Sequence, residues 1–187
     1  MLRFLAIFLL PLTLSAQRWS VVPSGPFEVY TAAGAQAGRQ TLGDLEQFRH
    51  ALRQVAGKEE MRSVWPVRVI LFGSARDARP YPVGGLKLRR DGWITALVRG
   101  QKMPFRELTR ILLESNTGPL PEPVERGLEA VFSTLEIDRT RVSLGAPPPE
   151  AERTPAWAKM HLLTVTPEYG GRARVLFSNL ELGADWV

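Results

Sequence analysis

Arg106, Glu107 and Arg110, followed after fifteen intervening residues by Arg126, have the spacing of a metal-binding helix pair but not its residue types. In an H-E-x-x-H helix, histidines at i and i+4 project from one face to hold zinc. The glutamate after the first histidine acts as general base. Here the segment reads Phe105-Arg106-Glu107-Leu108-Thr109-Arg110, and the later one Arg126-Gly127-Leu128-Glu129. A guanidinium stays protonated at ordinary pH and has no acceptor lone pair, so it cannot coordinate a cation. No metal and no cofactor are therefore expected at these positions. Glu107 keeps the place of the base, but such a base works on a zinc-bound water whose pKa the metal has lowered. Without metal, its expected role is an i,i+3 partner for Arg110 on a helix surface.

Two arrangements of the arginines are open. If the fold brings Arg106, Arg110 and Arg126 together, their guanidiniums would attract a carboxylate, phosphate or sulfate, because the planar fork suits bidentate contacts. Otherwise each turns outward or pairs with Glu107, Glu122, Glu125 or Glu129. Like charges at i,i+4 on an isolated helix cost a few tenths of a kcal/mol, which favours the second arrangement.

Other chemistry is sparse. His50 and His161 are the only histidines, each without a second ligand at metal-binding spacing. Ser74 and Ser133 lack the G-x-S-x-G setting of a serine nucleophile. The chain has no cysteine, which removes a thiol nucleophile, a disulfide framework and a lipid-anchored cysteine.

The elements that must position these residues follow an α/β order. Residues 27–31 alternate as a strand, and Gly34 and Gly38 lead into a helix over residues 40–55, with Leu42, Leu45, Phe48, Leu52 and Val55 at spacings of three and four. Residues 67–72 read as a buried strand after Pro66. Residues 93–98 read as another, paired with residues 86–89 through the turn signal Asp91-Gly92. Pro104 opens the helix carrying Arg106 and Arg110, and Asn116-Thr117-Gly118-Pro119 closes it. A second helix over residues 123–132 buries Val124, Leu128, Val131 and Phe132. Residues 135–137 and 141–144 form a small hairpin, and Pro147-Pro148-Pro149 is an extended break. Residues 157–165 and 172–187 read as helices, so the chain stops inside an amphipathic helix.

The order and spacing of six stretches resemble the peptidase-MA-like gluzincins, secreted bacterial proteins often joined to helical repeats. The stretches are Phe27 to Thr31, Leu45 to Arg49, Val67 to Phe72, Phe105 to Leu113, Gly118 to Pro121, and Arg126 to Thr134. In that family the last stretch resembles N-E-G-L-A-E followed by F-S-T, and its first glutamate, the third zinc ligand, falls on Arg126. The second glutamate falls on Ala130, one place after Glu129, so Glu129 is out of register as a stand-in ligand. The resemblance implies a zincin-like catalytic-domain architecture, α+β or α/β, with a small mixed sheet, an active-site helix pair and a short helical C-terminal part. That part is either naturally short or one piece of a longer reading frame. It also implies that the strand over residues 93–98 lies at the cleft edge, where an extended peptide would add by backbone hydrogen bonds.

Residues 1–16 have a basic start (Arg3), an apolar run and Ser15-Ala16 before Gln17, the form of a secretory signal peptide. The apolar run is shorter than the roughly 20 residues needed to span a bilayer. The expected organisation is a signal peptide over 1–16, a peptidase-MA-like domain over 17–150 and a partial helical subdomain over 151–187. Lys and Arg number 24 against 19 Asp and Glu, for a net charge of +5, and Arg89-Arg90 is the only adjacent basic pair after residue 16. A nucleic-acid binder concentrates such charge in a stripe, so none is expected as partner. The resulting expectation is a secreted or periplasmic pseudopeptidase with no catalytic residue, binding a peptide or protein partner and a small anion at Arg106, Arg110 and Arg126. No stable membrane span is expected after signal cleavage. The alternatives are a hydrolase with a non-standard site and a non-functional remnant of a truncated peptidase.

Overall fold

The computed structural model describes residues 18–185; the expected signal peptide and the last two residues lie outside them. Over the described residues the chain is α+β, with a small mixed sheet and six helices. Strands β1 (Ser20–Ser24), β2 (Phe27–Thr31), β3 (Val67–Phe72), β4 (Lys87–Arg89) and β5 (Gly92–Val98) form the main sheet in the order β1-β2-β3-β5-β4. β2, β3 and β5 are parallel; β1 and β4 are antiparallel edges, each joined to its neighbour as a hairpin.

Alternation sets the two faces. Phe27, Val29 and Thr31 of β2 are buried inward, while Glu28 and Tyr30 face the other way. Helix α1 (Ala35–Ala56) crosses from β2 to β3 and lays Leu42, Leu45, Phe48 and Leu52 onto the inner face. Helices α3 (Phe105–Asn116) and α4 (Glu122–Ser133) complete that layer. Phe48 is the junction of all three: its ring stacks on Phe105 of α3 at 5.0 Å and meets Phe132 of α4 edge-on at 5.9 Å. Helices α5 (Pro155–Val165) and α6 (Arg172–Glu181) send Met160 and Phe177, both fully buried, into the same core. The short α2 (Ala75–Ala78) lies on the opposite sheet face, where Ala78 packs with Phe72 and Ala96. Strands β6 (Glu136–Asp138) and β7 (Arg141–Ser143) make a separate hairpin.

Three expectations need correction. α1 starts at Ala35 rather than residue 40, because the turn at Gly34, with φ of 93°, lets the chain enter the helix before Gly38. β1 was not anticipated: Pro23 argues against a central strand, but an edge strand tolerates it. The last helix ends at Glu181, followed by Gly183 with φ of 85°, so Ala184 and Asp185 are not helical. Among the described residues, no helix is long and apolar enough to cross a membrane.

Candidate functional site

The motif residues are set by two helices whose registers are fixed by burial. In α3, Phe105, Leu108, Thr109, Ile111 and Leu112 are buried, which leaves Arg106, Glu107 and Arg110 toward the outside. In α4, Val124, Gly127, Leu128 and Val131 are buried, leaving Arg126 exposed and Glu125 and Glu129 half-buried. Gly127 is required where α5 passes, since an added Cβ would stand 2.5 Å from the Ala156 carbonyl oxygen. This close approach carries the 151–156 segment to the same face.

Arg106 and Arg126 line one cavity of about 520 Å³ with Glu122, Glu129, Glu152 and Ala156. Arg110 is not among its lining residues. Each guanidinium has a carboxylate partner in the chain. Arg106 pairs with Glu152, and Arg126 with Glu122 at 2.6 Å. Arg110 reaches Glu114 at 3.9 Å, one helical turn onward, so the expected Glu107–Arg110 partnership is replaced by an i,i+4 pair. Both arrangements of the arginines are thus partly realised: two share a pocket, and all three are paired.

Glu129 is the residue that sequence reasoning set aside and the fold brings in. Burial pushes its carboxyl above the ordinary glutamate range. Arg110 pulls it back, Glu125 pushes it further, and Arg106 and Glu107 add smaller opposing effects. Its i,i+3 spacing from Arg126 was legible, but alignment to a glutamate at position 130 hid it. Position 130 holds a buried alanine.

The remaining candidates are dispersed. His50 is exposed on α1, its Nδ1 3.2 Å from Arg53 Nη2. The His161 Nε2 donates to the Gly145 carbonyl at 2.9 Å, and its ring lies 5.1 Å from Trp157. Ser74 caps α2 by accepting from the Asp77 N–H, and Ser133 donates to the Ala130 carbonyl. Among the described residues, no group of three His, Cys, Asp or Glu is placed to hold a metal ion.

The strand over residues 93–98 is not a free edge. β4 pairs with Gly92 to Ile94, the Gly84 N–H donates to the Ala96 carbonyl at 2.7 Å, and the Val98 N–H donates to Gln101 Oε1 at 3.1 Å. The open edges belong to β1, which carries Pro23, and to β4, whose Lys87, Leu88 and Arg89 are all exposed. Charge and proline on such edges discourage strand addition.

Compared with known proteins, the chain matches no family model, no curated protein and no solved structure.

Proposed function

We propose that this chain is a secreted, non-catalytic, gluzincin-like pseudopeptidase that binds a peptide or protein partner through a carboxylate. The observation that carries this reading is that Arg106 and Arg126, at two of the three positions where the resembling family places zinc ligands, line one cavity. The chemistry left there is anion recognition, since guanidiniums offer donors and no lone pair. Their present partners are weak competitors. Glu152 and Glu122 have side chains 41% and 68% exposed, and ion pairs at such surfaces contribute about 0–1 kcal/mol. A ligand carboxylate can replace either at small cost and bridge the two guanidiniums. Strand addition at β5 is no part of the proposal, because that edge is occupied.

The test is thermal unfolding with inorganic phosphate, sulfate, and a short peptide supplied as free acid and as C-terminal amide. The anions and the acid should raise the Tm, as any ligand selective for the folded state does, and the amide should not. Arg106→Ala and Arg126→Ala should each weaken the shift. Equal shifts for acid and amide, or shifts unchanged in both variants, would show that the arginines form no site.

A further inference from the structure

A larger cavity, of about 620 Å³, lies at the carboxyl ends of β3 and β5. Its floor is apolar, built from Leu71, Leu97, Phe105 and Leu135, all buried. Its charged walls come from separate segments. Asp44 on α1 and Glu136 and Asp138 on β6 supply carboxylates; Arg99 and Lys102, in the loop from β5 to α3, supply cations. Gln47 of α1 donates through Nε2 to the Arg139 carbonyl, which holds the β6–β7 turn against α1 and keeps the acidic wall together. The basic loop is fixed as well. The Arg99 N–H donates to the Phe72 carbonyl at 2.9 Å, and the Gln101 N–H to the Val98 carbonyl at 2.9 Å.

These five charged groups differ from the arginines of α3 and α4. Among the described residues none of the five is in an ion pair, whereas Arg106, Arg110 and Arg126 are all paired. Asp44 is half-buried, and burial alone pushes its carboxyl above the usual range. A carboxylate that has lost water without gaining a donor leaves an unmet interaction that a ligand donor can supply. The cavity volume falls in the range of small-molecule sites, and a mostly apolar floor with a few polar groups is their usual lining.

We propose that this cavity binds a small dipolar ligand of the amino-acid class. Its ammonium faces Asp44, Glu136 and Asp138, its carboxylate faces Arg99 and Lys102, and its apolar side chain covers Leu71, Leu97 and Phe105. A simple amine or a simple carboxylate satisfies only one charged wall and leaves the other unpaired, so the two walls together select the zwitterion. This site shares no lining residue with the Arg106/Arg126 cavity.

The experiment titrates the ¹⁵N-labelled full chain with L-leucine, and separately with isopentylamine and 4-methylpentanoate, its two half-ligands. L-leucine should shift the backbone amides of Thr41, Asp44, Gly100 and Gln101 saturably, with each half-ligand weaker by about tenfold or more. Asp44→Asn and Lys102→Gln should each weaken L-leucine by about tenfold. Lys102 is an exposed loop residue, so its variant reports on binding even if the helix variant is altered in stability. Arg126→Ala should leave the titration unchanged, which separates this site from the anion reading. The proposal is overturned by the absence of saturable shifts, by equal binding of L-leucine and a half-ligand, or by a response that survives both cavity variants. A response that follows Arg126→Ala instead also overturns it.

Discussion

Changing Gly127 to alanine and Gly43 to alanine applies the same substitution to two helical glycines, and the structure requires opposite outcomes. At Gly127 the added Cβ would lie 2.5 Å from the Ala156 carbonyl oxygen and 2.6 Å from Met160 Cγ. Met160 can turn away only within a fully buried site, and the carbonyl belongs to the α5 backbone, so α5 must retreat by about 0.5 Å to reach even the shortest tolerated contact. Overpacking of this kind costs about 1–3 kcal/mol, with the upper end expected where backbone must move. Replacing glycine by alanine inside a helix returns about 1 kcal/mol. The net loss is then about 2 kcal/mol, or roughly 4–8 °C in Tm for a chain of this size. At Gly43, in the middle of α1, nothing lies within 4 Å of the added atom. Only the helix-propensity gain of about 0.5–1 kcal/mol remains, raising the Tm by roughly 1–4 °C. Thermal unfolding of parent and both variants by circular dichroism decides it. A Gly127→Ala protein at or above the parent Tm would refute the close crossing of α4 and α5. A Gly43→Ala protein that loses stability would refute the open environment assigned to α1. The crossing also places Glu152 and Ala156 beside Arg126, so Gly127→Ala should reduce anion-induced stabilisation as well.

Three further outcomes follow. Glu129 has a folded-state pKa raised above its unfolded value, so its ionisation opposes folding once pH rises through the folded pKa. Glu129→Gln should therefore raise the Tm at pH 7, with the gain disappearing below the ordinary glutamate pKa; a gain that is the same at both pH values contradicts the assignment to burial. The triple change Arg106→His, Arg110→His, Arg126→Glu should bind about one equivalent of zinc in equilibrium dialysis, while the parent binds none. A folded triple variant with parental uptake would mean the three positions do not converge on one ion. Mass spectrometry of the extracytoplasmic fraction should find an N-terminus at Gln17, and an intact Met1 in the membrane fraction would remove the export reading.

Periodicity alone was enough to place most of the elements. The 3–4 spacing of Leu42, Leu45, Phe48 and Leu52 and the alternation of Phe27 to Thr31 each require one apolar face, and both faces are buried where expected. The residue types at 106, 110 and 126 likewise ruled zinc ligation out of those side chains, because that follows from guanidinium chemistry and not from position. What the sequence left open was which charges meet. Arg106 pairs with Glu152, forty-six residues away, because α5 crosses α4 at Gly127 and brings the preceding segment with it. Burial raises the Glu129 carboxyl, and charged neighbours on two helices act on it in both directions. β5 loses its free edge to contacts from β4, Gly84 and Gln101, none of which a strand's own residues announce. The cavity around Asp44 joins α1, the β5–α3 loop and β6, three segments with no motif between them. Local pattern specifies which residues an element buries; which polar groups then face one another depends on how the elements cross, and only the tertiary packing sets that.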